Sequence, residues 1–195
     1  SSITFGTPVV FNNTGAASVI STTYDPVANK LVIAYQDGGN SYYGTVVVGT
    51  VSGDSITFGT PEVFNNTGSA GYSSIYDPAS SKAVIAYRDT GNSSAGTLIA
   101  GAVSGNSITF GAPVVFNIGN TQHISTTYDP VANKVVITYT DYGNSQYGTA
   151  IVGTVSGNAI TFRSPEVFNS SITSLFLTAY DLVANKVVIV YQDRG

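Results

Sequence analysis

The chain has 195 residues, of which 43% are hydrophobic and 9% are charged, and it carries a formal net charge of −4. Seven Lys and Arg residues are too few for the basic stripe that binds nucleic-acid phosphates or an anionic membrane surface, so we expect neither partner. The absence of Cys excludes disulfides, thiolate metal sites and Cys nucleophiles, and no apolar run is long enough for membrane insertion.

The main feature of the sequence is a repeat of about 52 residues, present in four copies. It is marked by Tyr24-Asp25-Pro26, Tyr76-Asp77-Pro78, Tyr128-Asp129-Pro130 and Tyr180-Asp181-Leu182. The units span residues 2–54, 55–106, 107–158 and 159–195, and the last unit is incomplete. Because one such unit cannot bury its own hydrophobic faces, we expect residues 1–195 to form a single repeat domain of stacked units.

Each unit contains four strand signals, which in the first copy are Ser2–Phe11, Val19–Tyr24, Lys30–Gln36 and Gly44–Val51. Runs of Val, Ile, Thr and Tyr between Gly, Asn, Asp and Pro are typical of strands, and Gly53-Asp54 predicts a tight hairpin. No segment shows the 3.6-residue apolar period of a helix. The longer connection at 12–18 is expected to lead from the outer edge of one sheet to the inner edge of the next.

The strand Lys30–Gln36 is largely apolar on both faces. One face carries Leu31, Ile33 and Tyr35, and the other carries Val32, Ala34 and Gln36. A strand buried on both faces belongs to a sheet that lies between two others. These patterns predict an all-β fold of antiparallel four-stranded units arranged as the blades of a β-propeller. A β-solenoid is the alternative fold, although its rungs are usually shorter and lack two-residue hairpins.

The fourth copy stops just after Asp193, before its last strand. An incomplete sheet exposes unpaired backbone groups, which proteins avoid. We therefore expect the chain to belong to a longer array, such as a larger propeller. The alternative is a homo-oligomer in which another chain completes the last blade.

A polar loop follows the third strand signal in each of the first three copies, with the pattern Asp-x-Gly-Asn-Ser. It begins at Asp37, Asp89 and Asp141. Clustered side-chain oxygens on a tight loop predict a Ca²⁺ site at these carboxylates. The competing interpretation is an Asx-turn, in which the Asp side chain binds amides of its own loop. No other cofactor is expected.

The same loops carry aromatic and amide side chains that suit a neutral ligand. They are Asn40, Tyr42, Tyr43, Asn92, Tyr142, Asn144 and Tyr147. Aromatic faces beside amides and hydroxyls favour glycans, and repetition multiplies weak sites by avidity. The absence of Trp argues against a lectin, and packing of these rings at blade edges is the competing interpretation.

Acid–base catalysis requires paired carboxylates or a His beside a partner, and neither pattern occurs here. Most Asp residues recur in every copy, which favours a role in the fold. Glu62 and Glu166 break the symmetry, but they lie on the predicted outer strand. His123, the single histidine, is expected in a surface loop without a chemical role. The sequence therefore predicts a protein that is not an enzyme.

Two resemblances accompany these patterns. The loop resembles the Asp-box of sialidase-type propellers, Ser-x-Asp-x-Gly plus an aromatic residue, over about five residues per repeat, but lacks the leading Ser and closing Trp. The whole repeat, Tyr-Asp-Pro-x-x-x-Lys-Val-Val-Ile-x-Tyr-x-Asp-x-Gly-Asn-Ser, is similar to tandem repeats in surface or fibre-like proteins of marine viruses and bacteria. The first implies a propeller without sialidase activity, because the arginine cluster of a sialidase has no counterpart.

The second resemblance implies an adhesion or attachment module at an extracellular or virion surface, with a glycan or a protein as partner. A purely structural scaffold is the first alternative, and it requires only stable, protease-resistant repeats. A propeller glycosidase is the second alternative, and it requires an asymmetric cleft with paired acids.

Overall fold

The computed structural model describes residues 3–195, and the side chain of Leu175 is not described. Ser1 and Ser2, which include the predicted start of the first unit and of its first strand, lie outside the described residues. Residues 3–195 contain no helix, as the sequence predicts. For the same residues, no helix has the length and hydrophobicity needed to cross a membrane.

Fifteen strands make up the fold. They are β1 (Ala17–Asp25), β2 (Lys30–Asp37), β3 (Tyr43–Ser52), β4 (Ser55–Phe58), β5 (Glu62–Asn65), β6 (Ser69–Asp77), β7 (Lys82–Asp89), β8 (Ala95–Ser104), β9 (Ser107–Phe110), β10 (Val114–Asp129), β11 (Lys134–Asp141), β12 (Tyr147–Ser156), β13 (Ala159–Phe162), β14 (Glu166–Asp181) and β15 (Lys186–Asp193). All the paired strands are antiparallel. Because the elements of residues 3–195 are strands only, the fold is all-β.

The strands form four sheets, which we number in chain order. Sheet one contains β1–β5, and sheet two contains β6–β9 with the first part of β10. Sheet three contains the second part of β10, β11–β13 and the first part of β14, and sheet four contains the second part of β14 with β15; each of the first three sheets has four strand positions side by side. In sheet one the order is β1-β2-β3, and β4 and β5 both pair with β3. β4 pairs with the second half of β3, and β5 pairs with the first half. The fourth position is split at Gly59–Pro61, where Gly59 N–H still donates to the Val48 carbonyl at 2.9 Å but Pro61 offers no N–H to the ladder.

Successive sheets share a strand or a short connection. β10 is 16 residues long; its first part pairs with β8 in sheet two, and its second part pairs with β11 in sheet three. β14 joins sheets three and four in the same way. Between sheets one and two, Gly68 with φ 85° separates β5 from β6. The connection therefore leads from the last strand position of sheet one to the first strand of sheet two. The predicted connection at 12–18 leads into β1, but it follows residues 3–10, which form no strand, so its course between outer and inner sheet edges stays a prediction.

The sheets stack face to face. Val32, Ala34, Val46 and Val48 of sheet one pack in one cluster with Ala83, Ile85, Tyr87 and Ile99 of sheet two. The opposite face of sheet two, with Val84, Ala86, Leu98 and Ala100, packs against Val135, Ile137, Tyr139 and Ile151 of sheet three. Sheet two is therefore buried on both faces, as the two-faced apolar strands predict. Closure of the stack into a propeller ring stays a prediction.

A ladder of hydroxyl groups joins the first strands of neighbouring sheets. These strands are β1, β6 and the second parts of β10 and β14, and we call them the inner strands. Its three steps are Ser21–Ser74, Ser73–Thr126 and Ser125–Thr178, with oxygen–oxygen distances of 2.7, 2.8 and 2.8 Å. In each step the first residue also accepts the backbone N–H of the second. The repeat therefore places one polar bridge at the same depth of every junction between sheets.

The predicted first strand, Ser2–Phe11, is wrong for the described part of that segment, because residues 3–10 form no strand. Its counterparts β4 and β5 pair with the third strand of the preceding sheet, and no such strand precedes residue 3 among the described residues. Phe11 nevertheless packs on Tyr35 and Phe58, with ring centroids 5.2 and 6.1 Å apart, as Phe64 packs on Tyr87 at 5.2 Å.

Candidate functional site

The predicted loops gather at one end of the stack, which we call the crossover end. It holds the turns that leave β2, β7 and β11 and the connections from each sheet to the next, represented in sheet one by 37–43 and 65–69. The turns and the connections lie at the same end of the sheets because β5 ends beside the start of β3, where Asn65 pairs with Gly44. The Asp-Pro turns and the Gly-Asn hairpins lie at the opposite end.

The Asp residue of each loop accepts an N–H from its own turn. Asp37, Asp89 and Asp141 receive the N–H of the Gly two residues later at 3.0, 3.1 and 2.9 Å. Each carboxylate also accepts a side-chain donor from the neighbouring connection: Thr14 at 3.2 Å, Thr67 at 2.9 Å and Asn117 at 3.2 Å. The carboxylate therefore forms an Asx-turn and fastens that turn to the chain crossing between sheets.

Calcium at these loops stays a prediction. Among residues 3–195 no three His, Asp or Glu side chains come together as a metal-binding group. A Ca²⁺ ion takes six to eight oxygen ligands, so a single carboxylate needs carbonyl and water oxygens beside it. Asp37, Asp89 and Asp141 each have part of their acceptor capacity occupied by protein donors.

The loop ends in a turn with an unusual backbone. Ser41 and Tyr42 have φ of 54° and 60°, and Tyr43 N–H donates to the Asn40 carbonyl at 2.9 Å. Two consecutive positive φ values are the signature of a type I′ hairpin turn, which matches the twist of the flanking strands. Ser145 and Gln146 repeat this conformation in sheet three. The strained turn holds the Tyr42 ring outward, with 61% of the residue exposed.

A shallow cleft lies between the loop and the connection. In sheet one it has a volume of about 390 Å³ and is lined by residues that include Asn12, Thr14, Asp37 and Asn40. In sheet three the equivalent residues Asn117, Asp141 and Asn144 line a cleft of about 400 Å³. An adjoining cleft of about 460 Å³ contains Asn40, Tyr43 and Phe64. A cleft lined by Asn and Asp side chains thus recurs at equivalent positions of two sheets.

The predicted ligand-binding residues do not form one site. Asn40, Asn92 and Asn144 are exposed on three different loops, and within residues 3–195 their side-chain amides make no protein hydrogen bond. Tyr142 is 38% exposed, whereas Tyr43 and Tyr147 are half-buried at the start of β3 and β12. Asn40 and Asn144 therefore line separate shallow clefts in sheets one and three.

The structure also contains a polar centre that the sequence did not indicate. The expectation that His123 lies in a surface loop is wrong, because this residue lies within β10 at a β-bulge between Gln122 and Ser125. The bulge recurs in each inner strand, and its positive-φ residue is Val19, Gly71 or His123. Gly71 inside a strand pattern was the available signal, since an isolated Gly there is typical of a bulge.

The imidazole of His123 has a defined tautomer. Thr140 has a single hydroxyl hydrogen and donates it to the Thr173 carbonyl at 2.7 Å. The Thr140 oxygen therefore accepts from His123 Nδ1–H at 3.1 Å, and Nε2 of the neutral ring carries no proton. Burial, followed by the positive charges of Arg194 and Arg88, lowers the pKa of His123 below its usual value.

Fold and site together define an all-β tandem-repeat protein with shallow clefts at one end, equivalent in sheets one and three. A comparison with protein-family models finds no match to the chain, and a comparison with curated proteins finds no significant relative.

Proposed function

We propose that the chain is a non-enzymatic attachment module that binds neutral polar ligands, with glycans as the first class, through the clefts of its crossover end. The observation that carries this proposal is the recurrence of one cleft in sheets one and three, each with an exposed and unengaged Asn amide, Asn40 or Asn144. An extracellular or virion surface is the setting in which such a module acts.

The chemistry of the clefts suits hydroxyl-rich ligands. A side-chain amide both donates and accepts hydrogen bonds, so it pairs with a sugar hydroxyl in either role. Tyr43 lines the adjoining cleft of sheet one, and Tyr42 is exposed on the same loop. Such aromatic surface with a polar end binds the apolar face of a sugar ring. The carboxylate of Asp37 accepts hydrogen bonds from Gly39 N–H and the Thr14 hydroxyl, so part of its acceptor capacity is already used within the protein.

Repetition compensates for the shallowness of each cleft. A cleft of about 400 Å³ with an open mouth buries little of its ligand, so single-site binding is weak. Clefts held at fixed spacing on a rigid stack bind a polymeric ligand at several points, and the second contact becomes intramolecular. We therefore expect attachment to long or clustered glycans and poor binding of monosaccharides.

A glycan-array screen of the purified chain, with and without calcium, tests the proposal. The test variant is Asn40→Ala with Asn144→Ala, which removes the exposed Asn amide without a protein hydrogen bond from each of the two equivalent clefts. The matched control is Asn158→Ala in the exposed hairpin turn at the opposite end. We expect wild type and control to bind one glycan class alike and the double variant to lose that binding.

Two results contradict the proposal: no glycan binding by wild type, or equal binding by wild type and the double variant. Calcium dependence that disappears in Asp37→Asn and Asp141→Asn variants would assign the ion to the loops. A mass measurement in solution on the same samples shows whether the chain forms a homo-oligomer.

A structural scaffold is the second candidate. The hydroxyl ladder between inner strands and the Asp side chains that fasten each turn both serve stability and need no ligand. If the array shows no binding while the chain resists proteolysis at high temperature, the scaffold is the better account of this protein.

A further inference from the structure

The junction between sheets one and two shows what one sheet receives from its neighbour at the outer edge. The Gly that follows β4, Gly59, lies so close to the Asn106 carbonyl oxygen of the next hairpin turn that a Cβ has no room there. The Phe of β5, Phe64, packs on Tyr87 of the next sheet with ring centroids 5.2 Å apart. The third strand β3 then adds Val46 and Val48 to the apolar cluster between the sheets, so the junction is closed.

Residues 3–11 already make the same outer contacts on sheet one. Gly6 is the equivalent of Gly59, and it lies against the Asp54 carbonyl oxygen with no room for a Cβ. Phe11 is the equivalent of Phe64, and it packs on Tyr35 with ring centroids 5.2 Å apart. These residues therefore lie where the fourth strand position of a neighbouring sheet lies, although 3–10 form no strand and no described strand pairs with them.

The apolar surface beside this segment is open. Ile20 on the inner strand of sheet one is 52% exposed, whereas its equivalent in sheet two, Tyr72, is covered and only 8% exposed. Phe5 is 89% exposed, whereas its equivalent Phe58 lies against Gly49 of β3 and is half-buried. A surface that a neighbouring sheet covers at the other junctions is therefore uncovered on sheet one.

Sheet one also carries one half of a hydroxyl bridge. At the three junctions a backbone N–H donates to a Ser hydroxyl of the preceding sheet, and the donors are Ser74, Thr126 and Thr178. Thr22 holds the equivalent position in sheet one and is exposed, and among the described residues no sheet places a hydroxyl against it. The position that accepts, which we call the bridge position, is that of Ser21, Ser73 and Ser125.

The third strands share a glycine spacing that the Phe rings require. Each contains Gly-x-x-x-x-Gly: Gly44 and Gly49, Gly96 and Gly101, Gly148 and Gly153. A Cβ on Gly44 would lie 2.7 Å from a ring carbon of Phe64, and one on Gly153 would lie 3.0 Å from a ring carbon of Phe162, both too close for a packed interior. Because Phe5 and Phe11 hold the equivalent ring positions, a strand that pairs with 3–10 needs Gly at the same spacing.

We propose that residues 3–11 and the open face of sheet one form a docking surface for a further unit of this repeat. Its third strand carries Gly-x-x-x-x-Gly and its inner strand carries Ser or Thr at the bridge position. Such a unit pairs with 3–10 by strand addition, covers the apolar face and supplies the hydroxyl for Thr22 N–H. Sheet four of a second copy does not fit, because Leu177 holds its bridge position. The inference does not rest on the glycan clefts.

The test adds a labelled synthetic peptide with the sequence of β12, residues 147–156, to the whole chain. Fluorescence anisotropy measures affinity, and hydrogen–deuterium exchange shows where the peptide binds. The matched peptide carries Gly148→Val with Gly153→Val, which raises strand propensity but places a side chain under each Phe ring. We expect saturable binding, slower exchange within 3–10 and affinity about 10-fold weaker for the Val peptide.

A variant of the chain tests the same surface from the other side. Phe5→Ala removes a ring that is 89% exposed, so the fold does not depend on it, and Ile118→Ala is the control at a residue 88% exposed near the crossover end. We expect peptide binding to weaken about 10-fold in Phe5→Ala and less than about 2-fold in Ile118→Ala.

Three results would overturn the docking surface: unchanged exchange within 3–10, equal or tighter binding of the Val peptide, or equal weakening in both chain variants. A doubled mass in solution that Phe5→Ala reduces to that of one chain would assign the surface to a second copy and overturn the stated partner. Glycan binding by the clefts at the crossover end is unaffected by either outcome.

Discussion

Ser73 of one sheet and Thr126 of the next are joined by two contacts: the Thr126 N–H donates to Ser73 Oγ at 2.9 Å, and the two hydroxyl oxygens lie 2.8 Å apart. The same bridge occurs between Ser21 and Ser74 and between Ser125 and Thr178. In the fourth copy the equivalent position is Leu177, which is 72% exposed. The bridging hydroxyl is therefore present at the three junctions between sheets and replaced by an apolar residue at this exposed position.

Removing one bridge should destabilise the stack. In Ser73→Ala the Thr126 N–H loses its acceptor at a buried junction, which costs about 1–3 kcal/mol. Urea unfolding measures this cost, and Ser156→Ala, at the exposed end of β12, is the control. A midpoint for Ser73→Ala that equals the control would show that the bridge contributes nothing.

The loop carboxylates should act as turn acceptors. Asp141→Asn keeps an oxygen for Gly143 N–H and for the Asn117 amide, whereas Asp141→Ala removes it. We expect the Ala variant to be less stable than the Asn variant by about 1–2 kcal/mol in calcium-free buffer. Equal stability of the two variants in thermal unfolding would contradict the Asx-turn. A calcium-induced rise in the wild-type melting temperature that Asp141→Asn abolishes would instead establish a metal site.

Replacing Tyr42 by Gly should stabilise the chain while weakening attachment. A bulky residue at φ 60° costs roughly 1 kcal/mol relative to Gly, which adopts this conformation freely. Gln146→Gly, at the equivalent position of sheet three, controls for the backbone effect without removing an aromatic ring. We expect both variants to melt at higher temperature and only Tyr42→Gly to lose glycan affinity. If both bind as wild type does, the Tyr42 ring is not part of the ligand site.

Stability should fall as the solution is acidified through the range in which His123 titrates. The pKa of His123 is lowered in the folded state, first by burial and then by Arg194 and Arg88. The unfolded chain therefore binds a proton more readily, so stability is complete above the usual His pKa of about 6.5 and declines as the pH falls below it.

His123→Asn removes this titration and tolerates the positive φ of 50° at that position. Urea unfolding between pH 8 and pH 5, expressed as the difference between variant and wild type, should show a pH-dependent gap that widens on acidification. A constant difference across this range would contradict the lowered pKa.

Arg88→Gln should not destabilise the chain. It removes a buried Nε without a partner and introduces a side chain that, in the first copy, donates to an inner-strand carbonyl. We expect a gain of about 1 kcal/mol in the free energy of unfolding, measured by urea unfolding. A marked loss would mean that the Arg88 guanidinium serves the fold.

Local patterns carry most of the information about strands and turns. The predicted strand Lys30–Gln36 coincides with β2 within one residue. The reason is local: a run rich in Val, Ile and Tyr favours a strand, and the Asp-Pro and Asp-Gly turns on either side fix where that strand begins and ends. The apolar character of both strand faces also predicted that sheets lie between sheets. The loop with Asp37, Asn40 and Tyr42 was predicted as a candidate site for the same reason, since its turn chemistry is local.

Tertiary structure decided what depends on distant partners. The segment 3–10 has the composition of β4 and β5 but forms no strand, because a strand requires a ladder partner that composition does not supply. His123 lies within β10 because a bulge changes the register against β11. The contacts of His123 with Thr140 and Phe176 arise from the pairing and stacking of strands and have no trace in their spacing along the chain. The sequence by itself determined the repeating unit and its turns, whereas packing between units determined which residues outside the repeat pattern meet.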